Sequence, residues 1–185
     1  MLYLKKNNKS QVWVESVLYT LIGLTLIGIA LAIVTPKISE SRDRILVDQT
    51  INSLNYFNDR IDETIDTGPG NARKIDEFTM KNGTLIINSS DDNILLILDN
   101  LRALYSEAGV PIENGRVTII SEKKAKTNSV SLILNYRGKI NLTYDGSEEV
   151  KKFSASPTPY TFLIENKGNL PNRGLVIDLH EISRG

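Results

Sequence analysis

The sequence has no cysteine, a single histidine and no excess charge of either sign, since 22 Lys and Arg residues balance 22 Asp and Glu residues. The absence of cysteine excludes disulfides, thiol nucleophiles, cysteine-ligated zinc and iron–sulfur clusters. One histidine excludes most histidine-rich metal sites and triads. Zero net charge removes the broad basic field that attracts nucleic acid, so no nucleic-acid partner is predicted. The length of 185 residues excludes two large domains.

Charge is nearly absent from Val12–Val34, a stretch of 23 residues in which Glu15 is the single charged residue. A helix of this length spans the roughly 30 Å of a bilayer core. The core helix of a soluble protein would carry a polar stripe, whereas from Val17 to Val34 the only polar side chains are those of Tyr19, Thr20 and Thr25. The sequence therefore predicts a membrane-spanning helix.

A basic leader, residues 1–10, precedes this helix. No small-residue cleavage motif follows the apolar run, so removal of the helix as an ordinary secretory signal is not expected. Because basic residues flank both ends, charge gives only a weak orientation. They are Lys5, Lys6, Lys9, Lys37, Arg42 and Arg44.

Glu15 lies about one turn into the apolar helix, where a carboxylate is costly and is a functional candidate. One interpretation is that its side chain reaches the lipid head groups. The other is a cationic partner, which cleavage after Ser10 would supply as a new α-amino group on Gln11. That amine could pair with Glu15 of the same helix or of a neighbouring subunit, and in the second case it would set the stagger between packed helices.

A short basic leader, a cut just before the apolar stretch, Gln at the first mature position and Glu at the fifth together resemble the class III signal peptide of archaeal type IV pilins and pilin-like subunits. The matching residues run from Lys9 and Ser10 through Gln11 to Glu15. Ser10, a small residue, stands where the family usually has Gly, and Trp13 stands where a small residue is common.

The resemblance implies that a prepilin peptidase cuts between Ser10 and Gln11 and that Glu15 registers one subunit against another. It also implies a pilus assembly ATPase and a membrane platform protein as partners, and a helical homopolymer of the chain itself as the product. In that polymer Gly23 and Gly28 would permit close approach of helices. The predicted filament core comprises Trp13, Leu18, Leu21, Ile22, Leu26 and Ile29.

Pro36 interrupts the apolar run and predicts a kink or short break there. An amphipathic helix then follows to about Thr67, where residues 67–70, Thr-Gly-Pro-Gly, predict its end. Its apolar face comprises Val47, Ile51, Leu54, Phe57, Ile61 and Ile65. A long first helix of this kind is also what the resemblance to pilins implies.

Residues 68–185 predict an outer α+β domain, an antiparallel sheet with one additional helix. That helix is expected from Ser89 or Ser90 to Ala108, because Asp91 and Asp92 suit a first turn and Gly109 suits an end. A tight hairpin is expected at Arg137 and Gly138, and loops at 154–159 and 166–174. The predicted strands are 84–88, 116–122, 130–136, 139–144, 160–165 and 175–182.

No catalytic motif occurs, and neither enzymatic activity nor a cofactor or metal is predicted. His180 is expected to be exposed or at a sheet edge, because it alternates with apolar residues. Three Asn-X-Ser/Thr patterns are candidate glycosylation sites in the outer domain: Asn82, Asn88 and Asn141.

The sequence therefore predicts a leader (1–10), an apolar helix (11–35), an amphipathic extension (36–67) and an outer domain (68–185). The expected function is a structural subunit, held in the cell membrane as a precursor and mature in an extracellular filament. Two alternatives stay open. One is a single-pass anchor for an extracytoplasmic binding or sensing domain that keeps its leader, and the other is a membrane-tethered enzyme.

Overall fold

The computed structural model describes residues 8–182, with side chains described from Val12 onward. Its first element is a helix, α1 (Asn8–Thr67), which continues through Pro36. Of the two predicted outcomes at Pro36, the short break is therefore wrong, and the kink stays a prediction. Proline removes only the one bond to the carbonyl of Ala32, and its fixed φ suits a helix, so the bonds on either side maintain the element.

Helix α1 ends at Thr67, as the sequence predicted, and Gly68 follows with a φ of 85°. A positive φ favours glycine and ends helices. The amide of Gly68 donates to the carbonyl of Ile65 at 3.2 Å, which closes the last turn.

The chain forms two compact units that divide between Arg42 and Asp43. In the second unit, the predicted apolar face of α1 is confirmed, since Val47, Ile51, Leu54, Phe57 and Ile61 are at most 1% exposed.

Ten strands follow in two sheets. The four-stranded sheet has the order β1-β9-β10-β7, and the six-stranded sheet has the order β4-β5-β6-β3-β2-β8. The strands are β1 (Ala72–Phe78), β2 (Thr84–Asn88), β3 (Asn93–Leu101), β4 (Ile112–Asn114), β5 (Val117–Lys123), β6 (Asn128–Asn135), β7 (Asn141–Tyr144), β8 (Val150–Ser154), β9 (Tyr160–Leu170) and β10 (Gly174–Glu181). All pairs are antiparallel except β7 with β10. The predicted α+β class is confirmed.

Phe57 joins α1 to the four-stranded sheet at the centre of one hydrophobic core. Its ring centroid lies 5.8 Å from that of Phe78 on β1 and 5.6 Å from that of Phe162 on β9. The core also contains the inward residues of the six-stranded sheet, among them Leu96 and Leu132. A single apolar cluster therefore holds the helix and both sheets together.

Hydrogen bonds of side-chain amides also connect α1 to the sheets. Asn55 donates to the carbonyl of Asn114 at 3.2 Å and accepts from the amide of Arg116 at 3.1 Å. Between them, Gly115 has a φ of 63°, and a Cβ there would meet the Asn55 side chain at 2.5 Å, so only glycine fits this turn. On β9, buried Asn166 donates to the carbonyl of Thr64 at 3.1 Å.

The predicted additional helix is wrong, because its residues form β3 and the turns that flank it. The run Ile94–Leu98 is apolar at every position, so periodicity could not separate a helix from a strand with apolar side chains on both faces. In the described residues 8–182, α1 is the only helix.

The predicted hairpin at Arg137 and Gly138 is also wrong, since β6 and β7 belong to different sheets. The turn carries the chain across the core, with the amide of Lys139 bonded to the carbonyl of Tyr136 at 2.9 Å. The loop expected from residue 166 instead continues β9 to Leu170. A register shift opposite Val176 and Ile177 accommodates Lys167 as an extra residue, so the pairing with β10 continues beyond it.

The stability of the outer domain is predicted to depend on pH in the alkaline range, through Tyr105. Burial, and then the hydrogen bond that its hydroxyl donates to Asp48 on α1 at 2.7 Å, raise the pKa of Tyr105 to about 12. The neutral phenol is thus favoured in the folded state. The stabilisation that the neutral phenol contributes to the folded state is complete below the pKa of tyrosine in the unfolded chain, about 10. It is lost as the pH rises through about 12, the pKa in the folded state.

We therefore expect the denaturation midpoint to fall between pH 10 and 12, and to fall less in Tyr105→Phe. Burial also raises the pKa of Tyr136, so the substitution should remove only part of the dependence. Urea titrations of both proteins at a series of pH values test this. Identical pH dependence in the two proteins would contradict it.

Candidate membrane and assembly segment

The N-terminal half of α1 exposes the apolar surface that the sequence predicted. Its most apolar window has a mean hydropathy of 2.5 and no buried residue, and it is long and apolar enough to cross a membrane. The six predicted core residues are all exposed: Trp13 68%, Leu18 56%, Leu21 60%, Ile22 47%, Leu26 62% and Ile29 54%. Removing each such side chain from water contributes about 1.5–3 kcal/mol, so this surface requires an apolar environment.

The Ser and Thr hydroxyls of this segment, and that of Thr35 just after it, are bonded to the backbone of their own helix. Ser16, Thr20, Thr25 and Thr35 each donate to the carbonyl four residues earlier, at 2.7–3.0 Å. Hydrocarbon offers no other acceptor, and an unsatisfied donor there costs several kcal/mol. The hydroxyls therefore do not oppose placement of the segment in lipid or in a dry protein core.

Small residues leave two recesses on this helix. A Cβ at Gly23 or Gly28 would meet nothing within 4 Å, so another helix could approach the backbone closely at either position. A groove of about 290 Å³ begins at Trp13 and includes the small residues Ser16 and Thr20. The structure thus places the predicted packing residues on a surface that a second helix could fill.

The cleavage and registry residues lie at the beginning of α1. Ser10 and Gln11 have helical backbone, and their side chains lie outside the described residues. The side chain of Glu15 is exposed, one turn after Gln11. Leader cleavage and the pairing of Glu15 with a neighbouring amine stay predictions.

The three candidate glycosylation asparagines are all half-buried in the outer domain. Asn82 donates its amide to the carbonyl of Asp99 at 3.1 Å, and Asn88 donates to the carboxylate of Asp91 at 3.0 Å. The buried side-chain oxygen of Asn141 has no hydrogen-bond partner. Their modification stays a prediction.

His180 lies on the central strand β10 and is half-buried, so the expected exposed or edge position is wrong. Its Nδ1 lies 2.8 Å from a carboxylate oxygen of Asp145, and its Nε2 lies 3.0 Å from one of Asp178. Buried Asp178 also accepts from the hydroxyl of Thr143 at 2.7 Å and from the amide of Gly146 at 3.0 Å. These bonds attach the turn after β7 to β10.

Sequence reasoning missed this cluster. The alternation of Asp178 and His180 on one strand was a visible signal, but their contact with Asp145 depends on the parallel pairing of β7 with β10. Among residues 8–182, no group of three or more His, Asp or Glu side chains is arranged to hold a metal ion.

No family model matches the chain, and neither the curated proteins nor the solved structures contain a match to it.

Proposed function

We propose that this protein is the structural subunit of a type IV pilus-like surface filament, made as a membrane precursor and cut after Ser10. The observation that carries the proposal is the exposed apolar surface of α1 from Val12 to Val34, combined with hydroxyls bonded to their own helix. Such a segment can occupy a bilayer first and a protein core later without presenting an unsatisfied Ser or Thr hydroxyl to either.

Polymerisation transfers this surface from one apolar environment to another, so the hydrophobic effect changes little between the two states. Close packing of the helices and pairing of their polar groups must then stabilise the polymer relative to the membrane-bound subunits. The recesses at Gly23 and Gly28 favour close packing. A carboxylate and an ammonium group 4 Å apart interact by about 4 kcal/mol at an effective dielectric of 20, which makes the pair of Glu15 with a neighbour's Gln11 amine a strong determinant of stagger.

The proposed partners follow from this assignment. A prepilin peptidase would remove the leader, a pilus assembly ATPase and membrane platform protein would drive extraction, and further copies of the chain would form the polymer. Repeated head-to-tail contacts that do not close into a ring give an open helical filament. The outer domain, from residue 68 onward, would then form the filament surface outside the cell.

The test is the N-terminal mass of the protein from two fractions, cell membranes and sheared surface material. We expect the sheared protein to begin at Gln11 and the membrane fraction to contain uncut precursor as well. Ser10→Gly is a matched control that should be cut at the same bond, whereas Ser10→Arg should retain the leader because the small residue is lost.

A terminus at Met1 in the membranes, with no protein in the sheared fraction, would contradict the proposal. That result would favour the anchored binding or sensing domain, because Glu15 would then have no amine at residue 11 to pair with.

A further inference from the structure

The outward face of the six-stranded sheet carries an aliphatic patch, comprising Ile86, Leu95, Ile97, Ile120 and Ile133. Side chains alternate between the two faces of a strand, and the inward residues of these four strands belong to the buried core. All five patch residues are half-buried and lie on the opposite face.

Strand register makes the patch continuous across four strands. Ile86 on β2 pairs with Leu95 on β3, and Leu95 pairs with Ile133 on β6. In the next row, Ile97 on β3 and Ile120 on β5 both pair with Ser131 on β6. Directly opposed residues of an antiparallel pair point to the same side, so the five side chains adjoin.

The outward face of the other sheet has different chemistry. There Lys74 on β1 and His180 on β10 both pair in register with Leu163, and Glu165 follows on the same face. A solvated sheet face normally carries such polar residues, whereas a sheet that is covered on both sides carries continuous apolar runs such as Ile94–Leu98. The aliphatic patch is thus typical of a face that another molecule covers.

We propose that the aliphatic patch is a self-association surface, which packs face to face on the same patch of a second copy of this chain. Its centre contains no charged residue, while exposed Lys152 on β8 and exposed Glu113 on β4 lie in the same row of paired residues at the two opposite edges of the sheet. A two-fold axis along the strands places the β8 edge of one copy over the β4 edge of the other. Opposite charges then face each other at both edges, which favours a second copy as the occupant.

The area of the aliphatic patch is smaller than a stable interface needs. The contact is therefore weak and forms where copies of the chain are already concentrated. Four strands about 4.8 Å apart and two rows of side chains give the patch an area of about 300 Å². A stable interface needs about 800 Å² per partner. Anchoring of the apolar helix in one membrane would supply the high effective concentration that such a contact requires.

Cross-linking through a single introduced cysteine tests the proposal on the full chain, which has no cysteine of its own. Facing sheets lie about 10 Å apart, beyond the roughly 7 Å between Cα atoms that a disulfide allows, so a short bismaleimide is the appropriate reagent. We expect Leu95→Cys in native membranes to give a homodimer. Adding Ile133→Lys should reduce the dimer by more than about tenfold, because it buries an unpaired charge in the contact.

The matched control is Leu163→Cys, a half-buried leucine on β9 that pairs with His180 on the outward face of the other sheet. It should give no dimer above the level of random collision. Equal cross-linking of the two variants, no dimer from Leu95→Cys, or a Leu95→Cys adduct with a different protein would each overturn the proposal. Membranes contain the anchored chain with or without filaments, so these outcomes are independent of the N-terminal mass that tests the filament.

Discussion

Cells that carry Glu15→Ala are expected to lose their filaments, while the protein still accumulates in the membrane. The substitution removes the carboxylate proposed to pair with the amine of a neighbour's Gln11. It also removes a charge whose insertion costs up to about 2.5–3.5 kcal/mol near the bilayer centre, so insertion should not suffer. Loss of a pair worth about 4 kcal/mol changes an equilibrium by nearly a thousandfold, and a polymer repeats the loss at every subunit.

Electron microscopy of sheared material, with immunoblots of the membrane fraction, provides the measurement. Glu15→Asp retains the charge on a shorter side chain and should give fewer or irregular filaments. Ser16→Ala is a matched neighbour, because it removes a hydroxyl that bonds only to the carbonyl of Val12 in the same helix. Its filaments should be normal. Normal filaments from Glu15→Ala would rule out the registry role.

The spacing of apolar residues predicted α1 correctly but gave the wrong secondary structure for part of the outer domain. In α1, steps of three and four from Val47 to Ile61 agree with helical geometry, so periodicity predicted the buried face. The glycines and proline of residues 67–70 predicted the end at Thr67. In β3, the apolar run from Ile94 to Leu98 fills both faces of a strand. The same run also contains apolar residues at helical spacing, and with Asp91 and Asp92 before it and Gly109 after it the sequence predicted a helix. The property that misled the prediction is the one that forms the aliphatic patch.

Other features depended on pairings that local sequence does not encode. The bounds predicted for strand β2, Thr84–Asn88, are those of the structure. The turn at Arg137 and Gly138 resembles a hairpin locally, yet the next strand joins the other sheet, because β7 pairs in parallel with β10. The bond from Asn166 to the carbonyl of Thr64 joins residues 102 positions apart, beyond any local pattern.

Phe57→Ala is expected to destabilise the outer domain by about 3–5 kcal/mol, the usual cost of removing a fully buried phenylalanine. Its ring is completely buried between Phe78 and Phe162, and the cavity would lie where α1 meets the four-stranded sheet. Domains of this size are stable by only about 5–15 kcal/mol, so the variant should retain its membrane helix but unfold readily and be degraded in cells.

Tyr56→Ala is the control for this substitution, since Tyr56 precedes Phe57 on the same helix but is 42% exposed. Its ring contacts the guanidinium of Arg60 at 4.8 Å, an exposed cation–π pair worth about 0.5–1 kcal/mol. Urea denaturation of the full chain in detergent, followed by near-ultraviolet circular dichroism, measures both changes. The single Trp13 lies on the apolar helix, so tryptophan fluorescence would not report on this domain. Equal losses from the two variants would mean that Phe57 does not anchor the helix to the sheet, and the separation of buried from exposed faces on α1 would then need revision.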